Sequence, residues 1–153
     1  MEHNLNPVSP KLVTARYISA GIWLGIPLVV CVVLALMWST WWWIGAGVCG
    51  ALLLWLAWLI PAQVKLMGWL ETEEELVLKK GKLWHTFTVV PYGRIQFVDV
   101  TAGPIENALG LKSVELHTAS ATSDSEISGL LAAEADALRD RLAVKARERM
   151  SGL

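Results

Sequence analysis

The 153-residue chain balances 13 Lys+Arg against 14 Asp+Glu, and 54% of its residues are hydrophobic, nine of them tryptophan. Residues 69–153 alone hold 10 Lys+Arg and 13 Asp+Glu, a mildly acidic balance that excludes the basic footprint of a nucleic-acid binder. Both cysteines, Cys31 and Cys49, fall in an apolar, uncharged stretch, where they serve as small apolar residues rather than as disulfide or metal partners.

Residues 1–16 include Asn4, Asn6, Pro7, Ser9 and Pro10 and read as a mobile lead-in with a short interfacial piece at 12–16. Residues 17–64 then contain no Asp, Glu, Lys, Arg or His over 48 positions. A helix rises about 1.5 Å per residue and a bilayer core is about 30 Å thick, so the run is too long for one crossing and sufficient for two. Water-soluble helices of this length carry a polar stripe, and this run has none. Ser39-Thr40, surrounded by Trp38, Trp41, Trp42 and Trp43, marks the turn, because tryptophan collects at membrane–water interfaces. The expectation is two transmembrane helices over about 17–38 and 41–64. Lys11 and Arg16 precede them, and Lys65, Lys79, Lys80 and Lys82 follow, which places both termini of a multi-pass membrane protein in the cytoplasm. Gly21, Gly25, Gly45, Gly47 and Gly50 are candidate helix-packing positions. No ionisable group lies within the spans, which argues against a channel or carrier acting alone.

After a short linker at 65–68 the period changes to that of strands, and residues 69–149 read as one small domain with a tail at 150–153. Segments 69–72 and 76–80 flank a turn at Glu73-Glu74, and Gly81 permits a tight hairpin into a long strand over 82–90. Pro91-Tyr92-Gly93 interrupts the pattern. Residues 94–101 alternate again, with Ile95, Phe97 and Asp99 on one face and Gln96, Val98 and Val100 on the other. Gly103-Pro104 breaks that run, and one helical turn over 105–109 closes at Gly110. Strands are expected at 112–118 and 125–130. From Ala132 the pattern is helical, with Leu131, Ala135, Leu138 and Leu142 on one stripe. Closely spaced strands followed by one amphipathic helix imply a small antiparallel sheet or barrel plugged by that helix.

Catalytic and metal-binding constellations are missing from the sequence. His3, His85 and His117 share no ligand spacing, and no phosphate-binding loop, nucleophile elbow or paired-cysteine motif occurs. Asp99 and Glu106 are the nearest approach to an acid/base pair, without a nucleophile. The expectation is a protein that is not an enzyme, with no cofactor and no metal. Lys79, Lys80 and Lys82 on one hairpin tip are candidates for anionic lipid head groups, each worth roughly 1 kcal/mol near such a surface. Arg94, beside the Pro-Tyr-Gly interruption, is expected to bond backbone carbonyls and pin that turn.

The run Val90-Pro91-Tyr92-Gly93-Arg94-Ile95-Gln96-Phe97-Val98-Asp99-Val100, followed by Gly103-Pro104-Ile105, Leu109-Gly110-Leu111 and Leu116-His117-Thr118-Ala119, resembles the bacterial membrane-flanked pleckstrin-homology domain family (bPH2, YdbS-like). The resemblance covers residues 17–142. It implies a pleckstrin-homology-like antiparallel barrel or sandwich capped by a C-terminal helix, behind a membrane hairpin. It further implies a non-enzymatic binding or scaffold subunit, paired with a larger, YdbT-like membrane protein carrying several such domains or with itself. On the matching positions, Arg94, Gln96, Gly103, Pro104 and Gly110 become candidate structural or partner-contact residues. Where the family often has basic residues after Gly-Pro, this chain has Glu106-Asn107-Ala108, which weakens a head-group site there. The alternative reading is a sensor of anionic lipid head groups; an enzyme has no residues to support it.

Overall fold

The computed structural model describes residues 4–81, 85–119 and 125–152. The chain divides into two compact units, Val13–Ala62 and Met1–Leu12 with Gln63–Leu153.

The first unit is a helical hairpin. Helix α1 (Lys11–Met37) and helix α2 (Trp42–Lys65) are each long and apolar enough to cross a membrane. The turn between them lies where the Ser39-Thr40 pair predicts it: the Trp42 N–H donates to Ser39 O at 3.2 Å and the Trp43 N–H to Thr40 O at 3.1 Å. The Tyr17 hydroxyl donates to Ala57 O at 2.6 Å. A Cβ added at Gly45 would lie 3.2 Å from Cys31 Sγ, so that glycine lets the helices approach. Helix α1 begins at Lys11 rather than at Tyr17. Ser9 caps it, accepting the Lys11 N–H on Oγ at 3.3 Å and the Leu12 N–H on its carbonyl at 3.0 Å. Pro10 falls where a missing N–H costs nothing.

The second unit holds two antiparallel sheets and one long helix. Sheet one runs in the order β1 (Asn6–Pro7), β2 (Gly68–Glu71), β3 (Glu75–Lys80), β4 (Thr86–Pro91). Sheet two runs β5 (Ile95–Thr101), β6 (Leu111–Thr118), β7 (Ser125–Leu131). Among the described residues no ladder joins the two sheets, so the arrangement is not a closed barrel. A single 3-10 turn, Tyr92–Arg94, carries the chain from one sheet to the other. The short helix α3 (Pro104–Ala108) lies between β5 and β6, and helix α4 (Ala132–Met150) packs on β5, β6 and β7.

The core between sheets and helix is built from Leu76, Leu78, Ile95, Val114, Leu116 and Leu130, with Ala135, Leu138, Leu142 and Ala146 from the inner stripe of α4. Leu131 leaves that stripe. It is the last residue of β7 and exposed, because the helix starts one residue later. Strand β5 departs further from the expected alternation. The register shifts between Ile95 and Phe97, so Ile95 pairs with Thr118 and Phe97 with His117. The extra residue reverses the faces: Ile95, Val98 and Val100 turn to the core, and Phe97 and Asp99 face outward.

The lead-in is also more ordered than its composition suggests. Asn6 pairs with Trp69 and Pro7 with Gly68, and the Ser9 N–H donates to Gly129 O at 2.8 Å. Val8 and Leu12 are buried. The expected strand over 82–90 is described from Thr86 onward; residues 82–84 lie outside the described set.

Candidate functional site

Strand pairing concentrates charge at opposite ends of sheet one. Gly68, only three residues past the last residue of α2, pairs with Lys79, and Lys79 pairs with Phe87. Lys80 follows in the next row, opposite Thr86. At the far end of the same strands lie Glu71, Glu73, Glu74 and Glu75. One end of the sheet is therefore basic and the other acidic. Lys79 Nζ sits 5.5 Å from the Phe87 ring centroid, a cation–π distance, and that ring is 61% exposed. Val89, on the same outward face as Phe87, is exposed too. Of the three lysine candidates, Lys79 and Lys80 are thus consecutive at one end of the sheet, and Lys82 lies outside the described residues. Phe87 was not singled out from sequence, although the apolar residues on both faces of 86–90 carried the signal.

The acidic end is fastened to α4. Arg141 Nε donates to Glu71 Oε2 at 3.1 Å, and Lys145 Nζ forms an ion pair with Glu71 Oε1 at 2.8 Å. Lys145 Nζ also donates to Thr72 O at 3.3 Å and stands 4.9 Å from the Tyr92 ring centroid. Burial alone would raise the Glu71 carboxyl, but the hydrogen bonds and charges of Lys145 and Arg141 outweigh it and hold the group below its ordinary value. Burial likewise pulls the Lys145 ammonium down, and its hydrogen bond to Glu71 with the nearby Tyr92 and Glu71 charges carries it above the ordinary value. Burial raises the Tyr92 hydroxyl, against the opposing charge of Lys145. This cluster pairs charges across an element boundary and is structural.

The 3-10 turn is pinned by Tyr92 rather than by Arg94. Tyr92 is fully buried, its hydroxyl donates to Thr72 O at 2.7 Å, and its N–H donates to Glu74 O at 3.2 Å. Arg94 and Gln96 point into solvent. An aromatic hydroxyl can fill the core and reach a carbonyl at once, which a guanidinium at an exposed position does not do. Gly103, Pro104 and Gly110 frame α3: the Gly103 N–H donates to Glu106 Oε2 at 3.2 Å, Pro104 opens the helix, and Gly110 takes φ +71 to leave it. Glu106, the departure from the basic family pattern, is therefore a capping residue. On the outward face of sheet two, Phe97 stacks on His117 at 4.3 Å, with Asp99 Oδ2 3.5 Å from His117 Nε2.

In the hairpin, Gly45 meets Cys31, whereas Gly21, Gly25, Gly47 and Gly50 have no neighbour within 4 Å of an added Cβ. Gly21 and Gly25 line a shallow groove along α1 with Ile18, Ile22 and Ile26. Gly21 and Gly50 also line a groove between α1 and α2, beside Tyr17 and Ala57. Among the described residues no group of His, Cys, Asp and Glu has the arrangement of a metal site.

The family model for the bacterial PH domain matches residues 12–146, which takes in both apolar helices as well as the two sheets and most of α4. The chain belongs to the bacterial PH domain family. No curated protein and no solved structure matches it. PH domains are generally non-catalytic.

Proposed function

We propose that this bacterial PH domain protein is a non-enzymatic inner-membrane subunit. It crosses the bilayer twice, keeps both termini in the cytoplasm and binds another integral membrane protein, either a larger multi-PH-domain partner or a second copy of itself. The observation that carries this reading is the outward surface of the hairpin. Trp23, Ile26, Val29, Ile44, Leu54 and Trp58 are all exposed, and almost none of the most apolar stretch of either helix is buried. A core helix would cover such residues; lipid solvates them without cost. Two spans exceed what an anchor requires, and Gly21 and Gly25 leave an uncovered groove where another helix can approach closely.

The test is recovery of the partner from solubilised membranes. In Gly21→Leu with Gly25→Leu the added Cβ atoms meet nothing within 4 Å, and recovery of the partner should fall while membrane insertion, checked in parallel, is kept. Full recovery with these substitutions, and with residues 17–64 exchanged for an unrelated two-span hairpin, would move the interface to the domain, where exposed Arg94 and Gln96 are the candidates.

The polarity of sheet one favours a second reading, in which the basic end senses anionic head groups. Lys79 and Lys80 lie next to the exit of α2, with Phe87 exposed beside them and the glutamates a strand length away. Lys79→Glu with Lys80→Glu would then abolish a difference in protease protection of residues 79–87 between neutral and anionic vesicles. If the wild-type chain shows no such difference, the lysines are only solvated charges.

A further inference from the structure

Among the described residues the two sheets present four edges, and three of them are shielded. β1 is two residues long and includes Pro7. β5 carries a bulge between Ile95 and Phe97 and a charge at Asp99. β7 takes φ +77 at Gly129, whose carbonyl accepts the Ser9 N–H at 2.8 Å. Short length, proline, bulges, charge and a covering segment are the means by which sheet edges avoid pairing with another chain. Over residues 86–90, β4 has none of them. Its ladder with β3 runs in unbroken register, and Thr86, Phe87, Thr88, Val89 and Val90 are uncharged residues that all favour strands. Among the described residues β4 pairs with β3 alone.

The ladder fixes which groups this edge offers. The Tyr92 N–H donates to Glu74 O, in step with the β3–β4 register, and the Thr72 N–H donates to Glu75 O, in step with the β2–β3 register. Hydrogen-bonded and non-hydrogen-bonded pairs alternate along an antiparallel ladder. Thr86, Thr88 and Val90 therefore bond to β3, and Phe87 and Val89 turn their N–H and C=O groups to the open side. Pro91, next on that side, has no N–H to leave unmet. The Phe87 and Val89 side chains share the outward face, 61% and 48% exposed.

We propose that β4 pairs antiparallel with β4 of a second copy of this chain, centred on Thr88, so that the two four-stranded sheets become one. In that register Phe87 lies opposite Val89 of the other copy and Val89 opposite Phe87. Each N–H on the edge then meets a carbonyl, and each outward pair is an aromatic ring against a β-branched side chain, a favourable cross-strand combination. Thr88 stands opposite itself. A two-fold axis brings like residues together, which an uncharged strand tolerates. Lys79 lies one strand back, opposite Phe87, and so stands three strand spacings from its own copy. That is roughly 14 Å or more, beyond a Debye length of about 8 Å. The shielded edges β1, β5 and β7 offer β4 no equal partner. The pairing uses no residue of the hairpin and goes beyond the function proposed above.

Disulfide trapping on the purified full chain in liposomes tests it, in a background carrying Cys31→Ala and Cys49→Ala. Facing residues of a non-hydrogen-bonded pair have Cα atoms ~4.5 Å apart, inside the range of roughly 4.4–6.8 Å that a disulfide spans. Thr88→Cys should therefore form a linked dimer at least fivefold faster than a cysteine at 86, 87, 89 or 90, each of which faces a different residue of the other copy. Val77→Cys, on β3, gives the rate of random collision. Val89→Pro removes an N–H that only this pairing uses, and should bring Thr88→Cys trapping down to the collision rate. Val89→Lys, which puts a charge on the open edge, makes the same test if the proline unfolds the domain. A maximum at another position, equal trapping across 86–90, a Thr88→Cys rate no higher than that of Val77→Cys, or trapping that survives the change at Val89 would overturn the pairing. Partner recovery through the hairpin groove is read separately, with Gly21→Leu and Gly25→Leu, so either reading can fail alone.

Discussion

At the corner between the sheets, the Tyr92 ring fills the core while its hydroxyl and N–H hold the β2–β3 turn. Removing the hydroxyl leaves a carbonyl with one donor fewer, at about 1 kcal/mol. Tyr92→Phe should therefore lower the thermal midpoint of the full chain in detergent by a few degrees, while Arg94→Ala leaves it unchanged. Glu71 gives a pH prediction. Its folded-state value lies below the ordinary 4.5, so the unfolded chain binds its proton first as the pH falls. Its contribution is fully present above that ordinary value and disappears as the pH drops through the lower folded one. Glu71→Gln should flatten the acid limb of a stability-versus-pH profile. Lys145 has the opposite sign: its value is raised above 10.5, so its contribution holds below that and fades at higher pH. The exchange of roles between Arg94 and Tyr92 shows what a sequence conceals at this scale. Residue type indicates which groups can bond a carbonyl, but not which one the turn buries.

Elements were legible where burial imposes a period. The stripe Ala135, Leu138, Leu142 identified α4, and the alternation of Leu76 and Leu78 identified β3. The bulge in β5 was not legible, because one unpaired residue reverses the faces of Phe97, Val98, Asp99 and Val100 without altering composition. Nor was β1, whose two exposed residues carry no hydrophobic pattern and owe their conformation to pairing with β2. The inner stripe makes a direct prediction. Leu138 is fully buried against the sheets, so Leu138→Ala should cost about 2–5 kcal/mol in denaturant unfolding. Val144, half exposed on the opposite side of the same helix, should lose less than about 0.5 kcal/mol when changed to alanine.

At the scale of the molecule, the proposed account combines two membrane spans, suggested by the apolar exterior of the hairpin, with a short tether and a cytoplasmic domain. Two residues separate Lys65 from Gly68, and the three Cα steps between them span about 10 Å at most. In the β2–β3 ladder Lys79 pairs with Gly68 at one end and Glu71 pairs with Leu76 at the other. Topology mapping in intact bacterial cells tests the account most directly, with a reporter fused after residue 153 and a small tag inserted at Ser39-Thr40. The account predicts a cytoplasmic reporter and a tag labelled from outside the inner membrane. A tag reachable only from the cytoplasm, or a full chain recovered in the soluble fraction, would contradict it.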